Sequence, residues 1–132
     1  MMSIEIDHLG IAVRSLEEGL RFYEQLLGMN VARRESVPAE QVMVAMLPAG
    51  TSRIELLEAT DETSPIAKFI HNRGPGLHHI ALRVDNLDAM IDHLKNHGGR
   101  VLNEPRSGAG GYTYVFVHPQ SSGGVLLELI QK

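Results

Sequence analysis

Two histidines and two glutamates, residue types that bind divalent metal ions in proteins, occupy corresponding places in the two halves of this chain. The histidines are His8 and His79, and Glu55 and Glu128 each interrupt an apolar run, RIELLEA and VLLELIQ. A carboxylate on a buried strand costs several kcal/mol unless it is paired or bound to a cation. Such donors suit Co, Mn, Ni, Mg or Zn, and four of them leave two positions of an octahedral ion open for a substrate. We therefore predict one divalent ion, whose identity the sequence does not determine.

The two halves form an internal repeat. The segment DHLGIAVRSLEEGLRFYEQLLG, from Asp7, aligns with HHIALRVDNLDAMIDHLKNHGG, from His78, so that His8 is paired with His79. Glu55 is paired with Glu128 after a small difference in loop length, so the repeat continues to the end of each half. Four further histidines have no partner in the repeat and are expected in solvated helices or loops: His71, His93, His97 and His118.

Each half reads as a strand, a helix and further strands. Ser15 and Asn86 are the expected N-caps of the two helices, and Gly28 and Gly98 or Gly99 the expected stops. The later strands are predicted at about 30–36, 41–48, 53–58, 100–103, 113–118 and 124–131. The segment SPIAKFIHNRG predicts a helix with Ser64 as its cap and Gly74 as its stop.

These elements predict an α+β fold of two tandem βαβββ modules that form one curled mixed sheet with helices outside. Residues 1–132 would make a single domain, built from half-modules 1–60 and 75–132 and joined by the linking helix at about 64–73. Neither module is large enough to bury its own sheet face, so the two sheets are expected to pair.

Alternation of side chains along a strand assigns each residue to a face. The apolar residues expected to face the covering helices are Leu9, Ile11, Val13, Ile80, Leu82 and Val84. His8 and His79 therefore face the other way, beside small residues that leave room for a ligand. His78 has the opposite parity and is the weaker candidate, while Arg83 shares the face of His79 and is expected to pair with an acidic neighbour.

The composition limits the function classes. The chain has no cysteine, which excludes disulfides, thiolate metal sites and thiol nucleophiles. Its net charge is -4, its Lys and Arg are scattered along the sequence, and its aromatic residues are few. This composition does not favour binding to nucleic acid, which needs clustered positive charge. No signal segment or membrane-spanning run is present, so we expect a cytoplasmic protein whose partner is a small molecule.

Nearly the whole chain resembles the methylmalonyl-CoA epimerase family of the vicinal-oxygen-chelate superfamily, which has the glyoxalase fold. The order and spacing of several segments carry this resemblance: IDHLGIAV, FYEQLLG, IELLEAT, SPIAKFI, GPGLHHIAL, SGAGGY and VFVHPQSSGGVLLEL. The resemblance implies interconversion of (R)- and (S)-methylmalonyl-CoA through a metal-stabilised enolate. It implies a divalent ion held by His8, Glu55, His79 and Glu128, with Glu128 the first candidate for proton transfer. It also implies an acyl-CoA substrate and a homodimer.

One position departs from part of the family, because Val44 stands where some relatives have a glutamate that transfers a proton. Glu55, Glu40 or a bound water could supply that second acid/base group. Two other functions of the same fold remain open: a glyoxalase I type lactoylglutathione lyase, which can use the same ligands, and a metal-free small-molecule binding protein. Metal analysis and a direct comparison of substrates would distinguish them.

Overall fold

The computed structural model of the chain describes residues 3–131. The strands are β1 (Ile4–Ala12), β2 (Arg33–Val37), β3 (Val42–Ala49), β4 (Ser52–Ala59), β5 (Gly76–Val84), β6 (Arg106–Ser107), β7 (Thr113–Val117) and β8 (Leu127–Gln131). The helices are α1 (Leu16–Leu20), which continues as a π-helical turn (Arg21–Leu26), α2 (Pro65–Arg73) and α3 (Leu87–Asn96). Short 3-10 turns lie at Pro38–Glu40 and Ala109–Gly111. None of the helices in the described range is long and apolar enough to cross a membrane.

The strands lie in a mixed sheet in the order β2-β3-β4-β1-β5-β8-β7-β6. In the first half, β1 is parallel to β4, β4 is antiparallel to β3, and β3 is antiparallel to β2. In the second half, β5 is parallel to β8, β8 is antiparallel to β7, and β7 is antiparallel to β6. The two halves thus share one topology. The predicted α+β fold of two βαβββ modules is confirmed.

The chain divides into two compact units. One comprises His8–His78, and the other combines the residues up to Asp7 with those from His79 onward. We call them the β1–β4 unit and the β5–β8 unit. Strand β1 is divided between the units: its residues up to Asp7 belong to the β5–β8 unit, and its residues from His8 belong to the β1–β4 unit.

Each unit has an apolar core between its sheet and the helix that follows its first strand. In the β1–β4 unit the buried core residues are Val13, Leu16, Leu20, Ala45, Leu47 and Leu56. In the β5–β8 unit they are Val84, Leu87, Ile91, Val115, Val117 and Leu129. Ile11 packs against the first core and Leu82 against the second, as predicted from parity. The same parity turns the intervening residues of β1 and β5 to the opposite face.

The helices begin at the predicted caps. Ser15 Oγ accepts a hydrogen bond from the N–H of Glu18 at 3.1 Å, and Asn86 Oδ1 accepts one from the N–H of Ala89 at 3.0 Å. Ser64 caps α2 through its hydroxyl group in the same way. These bonds satisfy N–H groups that have no partner within the helix, which is why Ser and Asn are favoured there.

A second polar contact at each helix start was not predicted. The Oε1 atom of Glu58, at the end of β4, accepts a hydrogen bond from the N–H of Leu16 at 2.6 Å. In the other unit, Oε1 of Gln131 accepts one from the N–H of Leu87 at 2.5 Å. Glu58 and Gln131 have the same separation in sequence as Glu55 and Glu128, so the repeat extends to the contacts that connect the last strand to the helix.

Several local predictions were wrong or incomplete. Strand β2 begins at Arg33 rather than at about 30, and β8 begins at Leu127 rather than at about 124. Residues 100–103 form only an isolated bridge, Val101 to Val117, and the strand that pairs with β7 is β6. The physical reason is that the side-chain Oδ1 of Asn103 accepts the N–H of Phe116 at 2.8 Å, in place of a backbone carbonyl. The stretch after α1 was expected to be α-helical up to Gly28, but Arg21–Leu26 is a π-helical turn for which we have no physical account.

Candidate metal centre

The β1–β4 unit holds the first imidazole and carboxylate together. His8 and Glu55 are each 3% exposed, and Nδ1 of His8 lies 3.3 Å from Oε2 of Glu55. Strand β1 carries the histidine and the neighbouring parallel strand β4 carries the glutamate. Gly10, also on β1, is directly opposite Glu55, so no side chain of that residue fills the space beside the carboxylate.

Arg53 makes a second contact with Glu55. It lies two residues earlier on β4, and its Nε donates to Oε2 of Glu55 over 2.8 Å. The side chain of Arg53 is 19% exposed, whereas that of Glu55 is 4% exposed. The carboxylate is therefore buried together with a positive partner, which offsets part of its desolvation cost.

The β5–β8 unit repeats the imidazole and carboxylate pair. His79 is 5% exposed and Glu128 is 8% exposed, and Nε2 of His79 lies 3.0 Å from Oε1 of Glu128. Ala81 is directly opposite Glu128 on the neighbouring strand, in the place that Gly10 has in the other unit. The ring of Phe116 meets the His79 ring edge to face, with 5.7 Å between the ring centroids.

These groups fit a divalent ion by their chemistry. Each unit provides one imidazole and one carboxylate, a mixture of nitrogen and oxygen donors that first-row divalent ions accept. Both carboxylates are nearly inaccessible to water, which favours a cation as their partner. A single pair supplies two donor groups, whereas such ions take four to six, so a complete coordination sphere needs further ligands.

Arg83 has the structural role predicted for it. Its Nη1 donates to Oδ1 of Asp7 at 2.7 Å, and its Nη2 donates to Oε2 of Glu5 at 2.5 Å. The hydrogen bond with Glu5 raises the pKa of Arg83 above its already high ordinary value, and Asp7 adds to that effect. Asp7 is 0% exposed, so Arg83 compensates a fully buried carboxylate next to the first histidine in the sequence.

The remaining histidines have other surroundings than His8 and His79, which each lie beside a glutamate. His78 contacts the ring of Phe69 on α2, at 5.1 Å between ring centroids, which agrees with its opposite parity. His71, His93 and His97 are exposed, as predicted. His118 is half-buried in a loop, where its Nδ1 accepts the N–H of Gln120 at 3.0 Å.

The structure shows the burial and the neighbours of two positions considered for the second acid/base group. Val44 is 2% exposed on β3, opposite Leu57 on β4 and Glu35 on β2, so this position is enclosed. Glu40 is half-buried in the 3-10 turn before β3, and its backbone carbonyl accepts the hydroxyl of Ser64 at 3.3 Å. Arg53 was not among the predicted site residues, although its parity already places it on the same face of β4 as Glu55.

Comparison with known proteins agrees with this fold. The sequence profile of the Glyoxalase/Bleomycin resistance protein/Dioxygenase superfamily matches residues 7–116, and the chain belongs to that superfamily. It is 39% identical over 128 residues to the mitochondrial methylmalonyl-CoA epimerase of Homo sapiens, which covers 96% of this chain and 73% of the relative. It is 39% identical over 129 residues to an ethylmalonyl-CoA/methylmalonyl-CoA epimerase of Cereibacter sphaeroides, covering 96% of each.

A solved structure gives the same result. A variant of Streptomyces coelicolor methylmalonyl-CoA epimerase in complex with 2-nitronate-propionyl-CoA superimposes with a TM-score of 0.92 at 37% identity. The match covers 96% of this chain and 93% of that structure. Proteins named probable lactoylglutathione lyase also match, at 31% identity for the one from Synechocystis. The predicted resemblance to methylmalonyl-CoA epimerases is therefore confirmed.

Proposed function

We propose that this protein is a metal-dependent epimerase that interconverts (R)- and (S)-methylmalonyl-CoA. One observation carries the proposal: a buried histidine–glutamate pair recurs in both units of a chain whose relatives are named for this activity. We propose further that His8, Glu55, His79 and Glu128 hold one divalent ion, and the chemistry of these donors suits Co, Mn, Ni, Mg or Zn.

The α-proton of the substrate must leave and return for the configuration to invert. A bound divalent ion supplies Lewis-acid stabilisation of the negative charge that develops on the thioester oxygen, worth several kcal/mol. In this proposal Glu128 serves one face of the α-carbon, where it removes the proton of one enantiomer or delivers the proton that forms that enantiomer. Phe116 is directly opposite Glu128 on β7, and it packs against the buried cluster of Tyr114 and Ile130 on β7 and β8. These apolar groups limit the access of water to the proton being transferred.

Inversion also needs a proton donor or acceptor on the opposite side of the planar carbon. Val44 has no exchangeable proton, so that group comes from elsewhere in the chain or from a bound water. Glu55 and Glu40 are the candidate side chains. Replacing each by glutamine separates them, because only the acting residue would abolish exchange from one enantiomer while leaving exchange from the other.

Exchange with deuterated water tests the proposal. The metal-loaded protein is incubated with methylmalonyl-CoA in deuterated water, and deuterium at C2 is followed by mass spectrometry. The hemithioacetal of methylglyoxal and glutathione is assayed in parallel. We expect deuterium at C2 and no lactoylglutathione. Formation of lactoylglutathione without exchange at C2 would assign the protein to the glyoxalase I reaction instead.

A metal-free binding protein of the same fold makes a different prediction. Protein purified without chelator would then contain no stoichiometric divalent ion, and ions added to the protein would not change its substrate exchange. We expect instead that exchange stops after treatment with a chelator and returns when the ion is restored.

We propose that the protein acts as a homodimer. Several large apolar side chains are exposed, among them Leu26 at 76%, Leu27 at 58% and Phe22 at 51%. Exposed apolar side chains that lie together often mark interfaces between protein chains. Sedimentation equilibrium at micromolar concentration should give twice the mass of the chain, and a mass of one chain would exclude the dimer at that concentration.

A further inference from the structure

Glu55 is held by two basic side chains within the β1–β4 unit. Oε2 of Glu55 accepts the hydrogen bond from Nε of Arg53 at 2.8 Å and lies 3.3 Å from Nδ1 of His8. Arg53 is always charged, and its side chain is 19% exposed. A charge in such a partly buried position acts more strongly on its neighbours than a charge in open water.

The sequence gives the second unit no equivalent of Arg53. Leu126 lies two places before Glu128, where Arg53 lies before Glu55, and it carries no charge. The two units otherwise repeat each other in the features described above, from the helix caps to the small residue opposite each glutamate. The arginine is therefore an asymmetric addition to a symmetric set of ligands.

We infer that Arg53 adjusts the charge of the metal centre so that it selects anionic acyl-CoA substrates. The inference rests on the proposed function, since the charge is counted with one ion held by the four ligands. A divalent ion and two carboxylates cancel, and neutral imidazoles add nothing. Arg53 leaves this centre with one positive charge.

A carboxylate-bearing thioester needs such a charge. It brings one negative charge next to the thioester and gains a second when the α-proton leaves. Arg53 attracts both charges without occupying a coordination position, because a guanidinium group has no lone pair to offer a metal ion. Arg53 is thus a positioning and specificity-determining residue that acts through Glu55, and its effect should be largest on substrates with a free carboxylate.

This role makes a prediction for the metal that differs from that of a purely structural residue. A positive side chain repels a cation, so removing it should leave the affinity for a divalent ion unchanged or higher. If Arg53 only held Glu55 in position, its removal would disorder a ligand and lower that affinity. The direction of the change in metal affinity therefore separates the two roles.

The test uses the full-length protein with Arg53→Leu, which copies the residue of the second unit, and with Arg53→Lys, which keeps the charge. Arg33→Leu is the matched control, because Arg33 and Glu35 also form an ion pair two residues apart on one strand, β2. Nη2 of Arg33 lies 2.6 Å from Oε1 of Glu35. Binding of Mn²⁺ is measured by calorimetry. Binding of malonyl-CoA, which has the free carboxylate, and of propionyl-CoA, which lacks it, is then measured with the Mn²⁺-loaded proteins.

We expect Arg53→Leu to bind Mn²⁺ at least as tightly as the wild type and malonyl-CoA about tenfold more weakly, with propionyl-CoA unchanged. Arg53→Lys should keep the preference for malonyl-CoA. The double variant Arg53→Leu/Glu55→Gln restores one positive charge to the metal centre, because it removes one negative charge along with the arginine. It should therefore recover malonyl-CoA binding, which a structural role for Arg53 does not predict. The Arg33→Leu control should match the wild type.

Each of the following results would overturn the inference: weaker Mn²⁺ binding in a folded Arg53→Leu variant, equal loss of affinity for both thioesters, or no recovery of malonyl-CoA binding in the double variant. These results differ from failure of the proposed function. Wild-type protein that binds neither Mn²⁺ nor malonyl-CoA would overturn the proposed function and the inference with it. Wild-type binding of both, with unchanged malonyl-CoA affinity in Arg53→Leu, would overturn the inference alone.

Discussion

Replacement of Glu128 by glutamine separates the proposed chemical role of this residue from its structural role. Glu128 is 8% exposed, and its Oε1 lies 3.0 Å from Nε2 of His79. The amide has nearly the volume of the carboxylate, so no cavity forms. Its carbonyl oxygen still accepts a hydrogen bond. The substitution therefore removes the negative charge and the group that transfers the proton, while the amide oxygen remains as a neutral donor for the proposed ion.

The structure predicts unequal effects on catalysis and stability. Loss of a general acid–base group lowers the rate by about 10²–10⁴-fold, which corresponds to about 3–5 kcal/mol of transition-state stabilisation. Loss of the charge-assisted contact with His79 should cost about 1–2 kcal/mol of folding free energy. Typical domains have about 5–15 kcal/mol of stability, so the variant should stay folded.

The assay is the rate of deuterium entry at C2 of saturating methylmalonyl-CoA, together with thermal unfolding of the same sample. Glu62→Gln is the matched control, because Glu62 is an exposed glutamate and its replacement should leave both measurements unchanged. A folded, metal-loaded Glu128→Gln protein in which exchange from both the (R) and the (S) substrate stays within about tenfold of the wild type would refute the assignment of Glu128 as a group that transfers the proton.

Three predictions concern the framework. In Gly19→Ala the added Cβ would lie 2.9 Å from two core side chains. Crowding should cost about 1–3 kcal/mol, which exceeds the gain of about 1 kcal/mol from the higher helix propensity of alanine. Urea unfolding should therefore show a lower free energy of unfolding than in the wild type. Ser15→Ala should cost about 1 kcal/mol in the same assay, through the lost cap of α1. The backbone N–H and hydroxyl of Thr63 lower the pKa of Asp61. These hydrogen bonds therefore stabilise the folded protein near neutral pH, and this stabilisation is lost as pH falls through the lowered pKa. Thr63→Ala should raise the pKa of Asp61 in a carbon-13 NMR titration, and an unchanged value would contradict this cause.

The repeat and the alternation along the strands predicted most of the framework. They assigned His8 and His79 to the face opposite the covering helices and gave each half one histidine–glutamate pair. The structure finds each pair in hydrogen-bonding range. This succeeded because β-strand parity is a local geometric rule that tertiary packing rarely changes. The helix starts were equally predictable, since Ser15 and Asn86 act through bonds to the next turn of their own helix.

Contacts between elements distant in sequence were harder to predict. Asn103 replaces a backbone acceptor with its side chain, and so residues 100–103 do not form the strand that their apolar pattern suggests. Glu58 and Gln131 bind helix N–H groups 42 and 44 residues away, and no local signal marks them. Arg53 could have been identified, because it shares the parity of Glu55 on the same strand.

The number of ions bound per chain decides whether the two histidine–glutamate pairs form one metal centre. Metal content is measured by native mass spectrometry for the wild type and for folded His8→Ala and His79→Ala variants loaded with Mn²⁺. If both histidine–glutamate pairs serve one ion, the wild type binds one ion per chain, and either substitution removes it. Two ions per chain, or one ion that persists after loss of either histidine, would contradict the account.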